Sequence, residues 1–331
     1  MTSPLRVGVI GVGHLGSLHA KMLAGNERAV LAGVVDTNPG QAGRVAAAHN
    51  TTAFASVGEL LAHVDAVTIA TPTSAHYAVA AEALAAGKHL LIEKPVTQTV
   101  AEAEALCRMA ADRGVIIQVG HIERFNPAIL ALDGYEINPM FVESHRLAQF
   151  NPRGTDVPVV LDLMIHDIDI ILSFVRSPVR HVEANGVAVV SDSADIANAR
   201  LQFENGCVAN VTASRISQKR MRKMRLFQRS GYISIDFSQG LAEVFRLVGE
   251  NEPELEGTMM LGELGSGKHK RKIVYEQPEV REVNALQHEI GLFVDAVREG
   301  RAPVVSGEDG RRALEVANII MEKIGQQMFA V

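Results

Sequence analysis

Short apolar runs alternate with stretches of helical spacing through the first third of the chain. Leu5 to Ile10 is such a run. A glycine-rich turn follows, then an amphipathic pattern to about Leu23, then a second run from Val30 to Val35. Asp65 to Ala70 reads as a strand. After it come the loop Thr71-Pro72-Thr73-Ser74 and an alanine-rich helix from about Ala75 to Ala86, which Gly87 ends as a C-cap glycine. His89 to Ile92 is the next strand. Thr99 caps a helix to about Arg113, Gly114 stops it, and Val115 to Val119 is strand again. This alternation predicts a parallel sheet wound on both faces, and we bound that domain at residues 1–121.

Beyond Gly120 the pattern changes. His121-Ile122-Glu123-Arg124-Phe125-Asn126-Pro127 reads as a charged hinge into a short helix, Met140 to Phe150 as a strand, and Val159 to about Val175 as a helix. Strand-like segments then follow at Val179–Val190, Ala194–Glu204, Cys207–Ser217, Met221–Gln228, Tyr232–Phe237 and Ala242–Val248, with Asn205-Gly206 and Ser230-Gly231 as turn signals. Successive strands on short turns predict a largely antiparallel open sheet. Residues 251–272 are polar and glycine-bearing and read as a loop, and two helices, about 284–298 and 307–328, close the chain. The predicted fold class is α/β: a doubly wound parallel sheet followed by a second α/β domain at residues 122–331.

Composition narrows the function without naming it. Over 331 residues, 47% are hydrophobic and 21% charged, an ordinary globular balance. A net charge of -6 argues against a nucleic-acid partner. The two cysteines, Cys107 and Cys207, lie far apart, so no disulfide framework is expected. Neither a signal peptide nor an apolar run of membrane-spanning length is evident, and the expected setting is soluble and cytoplasmic.

The chemistry begins at Gly11-Val12-Gly13-His14-Leu15-Gly16, a G-x-G-x-x-G turn between a strand and a helix. Its glycines suit a tight turn, close approach to a pyrophosphate and helix–strand packing, so the first domain is read as a Rossmann dinucleotide-binding fold. Asp36 ends the next strand, where a carboxylate accepts hydrogen bonds from ribose hydroxyls and repels a 2′-phosphate. That favours NAD, while Arg44 in the following helix keeps NADP open. Glu93-Lys94-Pro95 sits where the carboxyl end of a buried strand must be, which makes Lys94 either a solvated loop lysine or a cation aimed into a cofactor crevice.

Within Leu161-Asp162-Leu163-Met164-Ile165-His166-Asp167-Ile168-Asp169, the spacing puts Asp162, His166 and Asp169 on one helix face and turns Asp167 elsewhere. Three readings stand: a general base with carboxylate support, a metal site, or a histidine satisfied by its neighbours. A nucleotide-binding domain upstream favours the base and leaves metal the outsider. Arg215, Lys219, Arg220, Arg222, Lys223 and Arg225 form a dense basic run, suited to a diphosphate or to a solvated strand edge.

Taken together, the glycine-rich turn, Thr71-Pro72 with His76, Glu93-Lys94-Pro95, and Asp162 with His166 resemble the Gfo/Idh/MocA oxidoreductases over nearly the whole chain. The resemblance implies a bound nicotinamide cofactor held by Gly11, Gly13, His14, Leu15, Gly16, Asp36, Thr71, Pro72, His76, Glu93 and Lys94. It implies that Lys94, Asp162 and His166 line the substrate site and act in catalysis, with His166 or Lys94 taking the proton. It also implies a homodimer or homotetramer built through the open sheet. Gly120 to Pro127 with Arg124, and Ser214-Arg215-Ile216-Ser217, are similar to a branch that oxidises C3 of UDP-N-acetylglucosamine ahead of a PLP aminotransferase in diamino-sugar lipid A synthesis. On that likeness Arg124 and Arg215 join the substrate-binding set. The rival readings are a dehydrogenase of a free polyol such as an inositol, and a sensor that binds NAD without turnover.

Overall fold

Each apolar run of the first third becomes a parallel strand buried on both faces. The computed structural model describes residues 3–151, 157–249, 257–265 and 271–328. In chain order the first elements are β1 (Leu5–Ile10), α1 (His14–Ala24), β2 (Ala29–Val35), α2 (Pro39–Ala48), α3 (Val57–Leu61), β3 (Ala66–Ile69), α4 (Thr73–Ala85), β4 (His89–Glu93), α5 (Val100–Arg113) and β5 (Ile117–Gly120). The strands form one sheet in the order β2-β1-β3-β4-β5, with every pair parallel. From β1 the chain goes to β2 on one side and to β3 on the other. The strand order therefore reverses beside β1, where ligands of open α/β sheets bind. Local chemistry sets the helix ends. Thr99 and Glu102 form a reciprocal capping box at the start of α5, and Gly114 closes that helix at φ +63°.

Residues Met1–Ile122 and Asn284–Glu315 form one compact unit, and Glu123–Val283 with Val316–Val331 form the other. The sequence division assigned everything after residue 121 to the second domain, whereas residues 284–315 cluster with the first. The reason is α8 (Ala285–Glu299). Its Leu286, Ile290, Phe293, Val294 and Val297 recur at helical spacing and enter the same apolar cluster as Val7, Val9, Ala20, Leu23 and Leu31. Burying five such side chains stabilises the unit by on the order of 10 kcal/mol, as an upper figure.

His89 opens β4 and accepts a hydrogen bond at Nδ1 from the Ile116 N–H, 3.0 Å away. Burial pushes its pKa below the usual histidine value, with the charge of Asp65 opposing. The unfolded chain therefore binds this proton more readily than the folded one. Its stabilising contribution is complete above pH ~6.5 and is lost as pH falls through the lower folded value. Denaturant unfolding of the wild type from pH 7.5 to 5 should show this decline. His89→Gln should flatten it, and an unchanged slope in the variant would remove His89 as its source.

The second unit opens with α6 (Pro127–Leu130) and β6 (Phe141–Leu147). A π-helical segment, Val160–Met164, then runs straight into α7 (Ile165–Val175), where sequence periodicity shows one continuous helix. Strands β7 (Val179–Val187), β8 (Ile196–Phe203), β9 (Val208–Ser214), β10 (Met221–Gln228), β11 (Gly231–Asp236), β12 (Leu241–Gly249), β13 (Thr258–Leu264) and β14 (Arg271–Glu276) follow. The sheet order is β13-β14-β12-β11-β10-β6-β9-β8-β7. The pairings are antiparallel except for β6 with β9, which run parallel. The last helix is α9 (Gly307–Met328). β13 corrects the loop expected at 251–272, of which residues 251–256 and 266–270 lie outside the described part. Gly257, Gly262 and Gly265 masked a short apolar run, Met259-Met260-Leu261, that pairs with β14 through a register shift.

Strand alternation gives this sheet two unlike faces. Met224 and Leu226 of β10, with Ala209, Val211 and Ala213 of β9, are buried, and α7 packs on that side against β6 and β9. The opposite face carries a cross-strand aromatic row, Phe141–Phe227–Tyr232–Phe245–Tyr275, with successive ring centroids 5.8, 4.9, 5.4 and 5.0 Å apart.

Candidate active site

The glycine-rich turn has the contacts its residue types demand. Gly11 follows β1 at φ +80°, its N–H donates to Val35 O at 2.8 Å, and a Cβ there would meet Ala70 O at 2.9 Å. Gly16 lies still closer to its neighbours, because an added Cβ would stand 1.8 Å from Gly11 O. Gly13, the N-cap of α1, faces open space where a Cβ would touch nothing within 4 Å. His14 and Leu15 are exposed beside it, and the first turn of α1 contains no acidic residue. A helix N-terminus offers unpaired N–H groups and a dipole that favours an anion. The open space over Gly13 thus leaves room for a pyrophosphate. Asp36 braces this turn, its Oδ2 accepting from Val12 N–H at 2.7 Å and its Oδ1 from Asn38 N–H at 2.8 Å. Arg44 donates to the Gln41 side chain, and Gln41 in turn donates to Val12 O at 2.7 Å.

The loops after β3 and β4 meet through a histidine. Thr71 and Pro72 lead into α4, and His76 in its first turn is 1% exposed. Its Nδ1 lies 2.9 Å from Pro95 O and its Nε2 lies 2.9 Å from Thr71 O. His76 was expected to bind cofactor. Both its ring nitrogens face backbone carbonyls, so it ties together the two loops that border the cofactor turn.

Glu93 ends β4. Its carboxylate accepts from His19 Nε2 of α1 at 3.0 Å and from the Lys94 N–H at 3.3 Å. Gly120 lies beneath it, and a Cβ there would come within 2.9 Å of the carboxylate. Glu93 is thus wedged between α1 and β5 and fixes the backbone from which half-buried Lys94 projects.

In the second unit the acidic helix is sorted by two arginine forks. Asp167, 1% exposed, accepts from Arg146 Nε at 2.8 Å and Nη2 at 3.0 Å. Arg146 also donates to Glu123 at 3.2 Å, and its guanidinium lies 5.7 Å from the Phe237 ring centroid. Burial works against the Arg146 cation, but the charge and hydrogen bonds of Asp167, with those of Glu123, prevail and hold its pKa above the usual value. Asp169, also 1% exposed, accepts both arms of Arg124, from Nε at 2.6 Å and from Nη2 at 2.8 Å. Asp162 and His166 remain half-buried at the edge of this arrangement. Asp169, expected to share their role, is instead buried on Arg124. Arg124, expected at the substrate, braces the helix through Asp169.

Arg215 likewise turns inward. It is 5% exposed, donates from Nη2 to Val157 O at 2.5 Å, and lies 3.5 Å from Asp195. Burial works against the Asp195 charge. The N–H groups of Val190, Val189 and Ser191 and the Ser191 hydroxyl prevail and hold its pKa at about 2. Arg215 thus belongs to the anchor of the turn between β7 and β8.

Near Asp162 the second unit opens into a cleft of about 810 Å³, lined by Asp162, Phe150, Arg220, Arg222 and Phe237 among others. Among the described residues no three His, Cys, Asp or Glu side chains are gathered for a metal ion. The two cysteines are both free thiols, and burial pushes the Cys207 pKa up to about 11. The Arg146–Asp167 clamp escaped sequence reasoning. Its one visible signal is the alternation of β6, which puts Arg146 on the buried face with Val142 and Ser144.

Residues 5–121 match the GFO/IDH/MocA oxidoreductase family, NAD-binding Rossmann fold. Residues 143–234 match the GFO/IDH/MocA C-terminal domain. The UDP-N-acetylglucosamine 3-dehydrogenase of Acidithiobacillus ferrooxidans is 41% identical over 315 residues, covering 95% of each chain. A solved structure of that enzyme superposes with a TM-score of 0.86 at 40% identity over 97% of both chains. The scyllo-inositol 2-dehydrogenase (NAD(+)) of Bacillus subtilis is more distant, 28% identical over 96% of this chain and 93% of its own.

Proposed function

The chain belongs to the GFO/IDH/MocA oxidoreductases, and on that premise we propose that it oxidises the C3 hydroxyl of UDP-N-acetylglucosamine to a ketone with NAD as hydride acceptor. One observation carries the chemistry. Of the four ionisable residues on the π segment and α7, two are buried in arginine forks, while Asp162 and His166 stay half-exposed one turn apart beside a cleft. A helix held in this way keeps its base oriented. The substrate comes from the relative that is 41% identical and acts on that sugar. NAD is preferred to NADP because the Asp36 carboxylate at the end of β2 repels a 2′-phosphate.

Bound NAD would supply the acceptor for the hydride that leaves the sugar carbon. His166 removes the hydroxyl proton in the same oxidation, and Asp162 orients its ring and stabilises the imidazolium that forms. Lys94 hydrogen-bonds the oxygen and stabilises the negative charge it gains in the transition state. Gly11, Gly13 and Gly16 leave room for the pyrophosphate, which the α1 N-terminus, with its His14 and Leu15 N–H groups, would hold. Glu93 and His76 keep the Lys94 turn in place.

The ketone is the group that a PLP aminotransferase converts to an amine, which puts the reaction ahead of transamination in diamino-sugar formation for lipid A, in the cytoplasm. Among the described residues no helix is long and apolar enough to cross a membrane. The aromatic row on the open sheet face supports a homodimer or homotetramer formed through that face, because such a row is larger than scattered surface apolar residues require.

The test follows NADH absorbance with purified protein, NAD, UDP-N-acetylglucosamine and a ketone trap that draws an uphill oxidation forward. Reduction that depends on the UDP-sugar and fails with N-acetylglucosamine or myo-inositol is the expected result. Turnover of inositol without turnover of the UDP-sugar would refute the substrate.

A further inference from the structure

We infer that Arg220 and Arg222 form the diphosphate-recognition wall of the substrate cleft, and so select a nucleoside-diphosphate sugar over a free sugar; this rests on the dehydrogenase reading above. The folded chain sorts the basic run that the sequence presents as one block. Lys223 and Arg225 lie on the open face of the sheet, where each has a carboxylate, Asp236 at 3.1 Å and Glu143 at 2.5 Å. Arg215 also lines the cleft, but it is 5% exposed, donates to Val157 O and lies 3.5 Å from Asp195. Arg222 alternates onto the face of Met224 and Leu226, and with Arg220 it lines the cleft that contains Asp162.

Topology explains the convergence. Met221 at the start of β10 pairs with Leu147 at the end of β6, which pairs with Ser214 at the end of β9. The π segment bearing Asp162 packs on β9. One end of the sheet therefore collects the carboxylate of Asp162 and three arginines, Arg215, Arg220 and Arg222, around a single volume of about 810 Å³, within the size range of ligand pockets.

Charge accounting singles out Arg220. Glu123 Oε1 is shared by Arg146 at 3.2 Å and Arg222 at 3.3 Å, and Asp167 neutralises Arg146. These four groups cancel. Arg220 is exposed and makes no ion pair among the described residues, so it is the surplus cation on that wall. An arginine fork matches phosphate oxygens two at a time, and Arg222 has further donors beyond the one given to Glu123. A free polyol contains no anion to meet this cation. A nucleoside-diphosphate sugar contains two phosphates between its base and the sugar that must reach Asp162 and His166.

The measurement is calorimetric titration of the NAD-loaded protein with UDP, a ligand that binds without turnover. Wild type should bind UDP, and Arg220→Ala should weaken it by about 10- to 100-fold, the effect of losing a charged hydrogen-bonding partner. Arg222→Ala should weaken it as well, and Arg220→Lys should recover part of the loss. Uridine, without phosphates, should bind wild type and Arg220→Ala alike. Lys223→Ala, on the opposite face, should leave UDP binding unchanged. Arg220 is exposed, so its removal leaves the melting temperature nearly as it was, which separates loss of binding from loss of fold. If UDP binds wild type and Arg220→Ala equally, the assignment of the wall is overturned while the UDP-sugar reading stands. If wild type binds no UDP, the substrate reading fails and takes the inference with it.

Discussion

Replacing His166 by alanine should lower kcat by about 10²- to 10⁴-fold, the range associated with loss of a general base, while NAD still binds. The separation follows from where the residue sits. His166 belongs to the second unit, whereas the turn around Gly11–Gly16 and Asp36, the proposed cofactor site, belongs to the first. The His166 helix is braced by other side chains. The forks of Arg146 on Asp167 and of Arg124 on Asp169 do that, so the alanine variant should melt close to wild type. Stopped-flow NADH formation gives the rate, and fluorescence titration gives NAD affinity. The pH profile adds a readout that mere misplacement would not move: the acidic limb of kcat/KM should disappear with the base. Near-normal turnover would transfer the proton to Lys94, and Lys94→Ala would then show the missing limb.

Asp167→Ala should be the most destabilising single change in the acidic stretch, by about 3–5 kcal/mol, because it leaves the Arg146 guanidinium buried without its main counter-charge. Arg146 is 2% exposed, and Glu123, its other carboxylate, already serves Arg222. Asp167→Asn keeps the shape but loses the charge, so it should cost less. The pair Arg146→Met with Asp167→Leu should cost far less than the sum of the single changes, since no charge then remains to be buried. Urea unfolding of wild type, Asp167→Ala, Asp167→Asn, Arg146→Met, Asp167→Leu and the double variant checks this. A drop of under about 1 kcal/mol for Asp167→Ala would mean that Arg146 reaches water or another acid in the folded protein.

Local rules carried much of the reading. The glycine-rich turn between strand and helix, the acid at the end of β2 and the glycine stops after α4 and α5 all depend on residues a few positions apart, where sterics and capping act. The spacing of Asp162 and His166 is of the same kind. The contacts that stayed hidden share a different cause. Arg124, Arg215 and His76 stand inside or beside recognisable motifs, but their partners lie 45, 20 and 19 positions away, at Asp169, Asp195 and Pro95. Nothing in spacing reveals which far carboxylate or carbonyl a side chain will meet. Asp169 was assigned to the reactive face by helical periodicity, yet only the fold shows an arginine already covering it. The π segment leaves no mark in the pattern of apolar residues, and β13 was hidden because glycines interrupt its short run. Placement of α8 in the first unit was illegible for the same reason: amphipathicity shows that a helix has an apolar face and not which core receives it.

The return of α8 to the first unit bears on how the chain is born. Its Phe293, Ile290 and Val294 cover the same seam that Val7, Val9 and Leu23 line, but residues 123–283 are synthesised in between. At ~5–20 residues per second, the ribosome needs on the order of 10 s or more to cross that interval. Throughout it, the N-terminal part of the unit has already emerged with one flank of its core uncovered by its own chain. The dinucleotide-binding unit is thus the first to begin folding, yet its core is complete only once α8 has been synthesised.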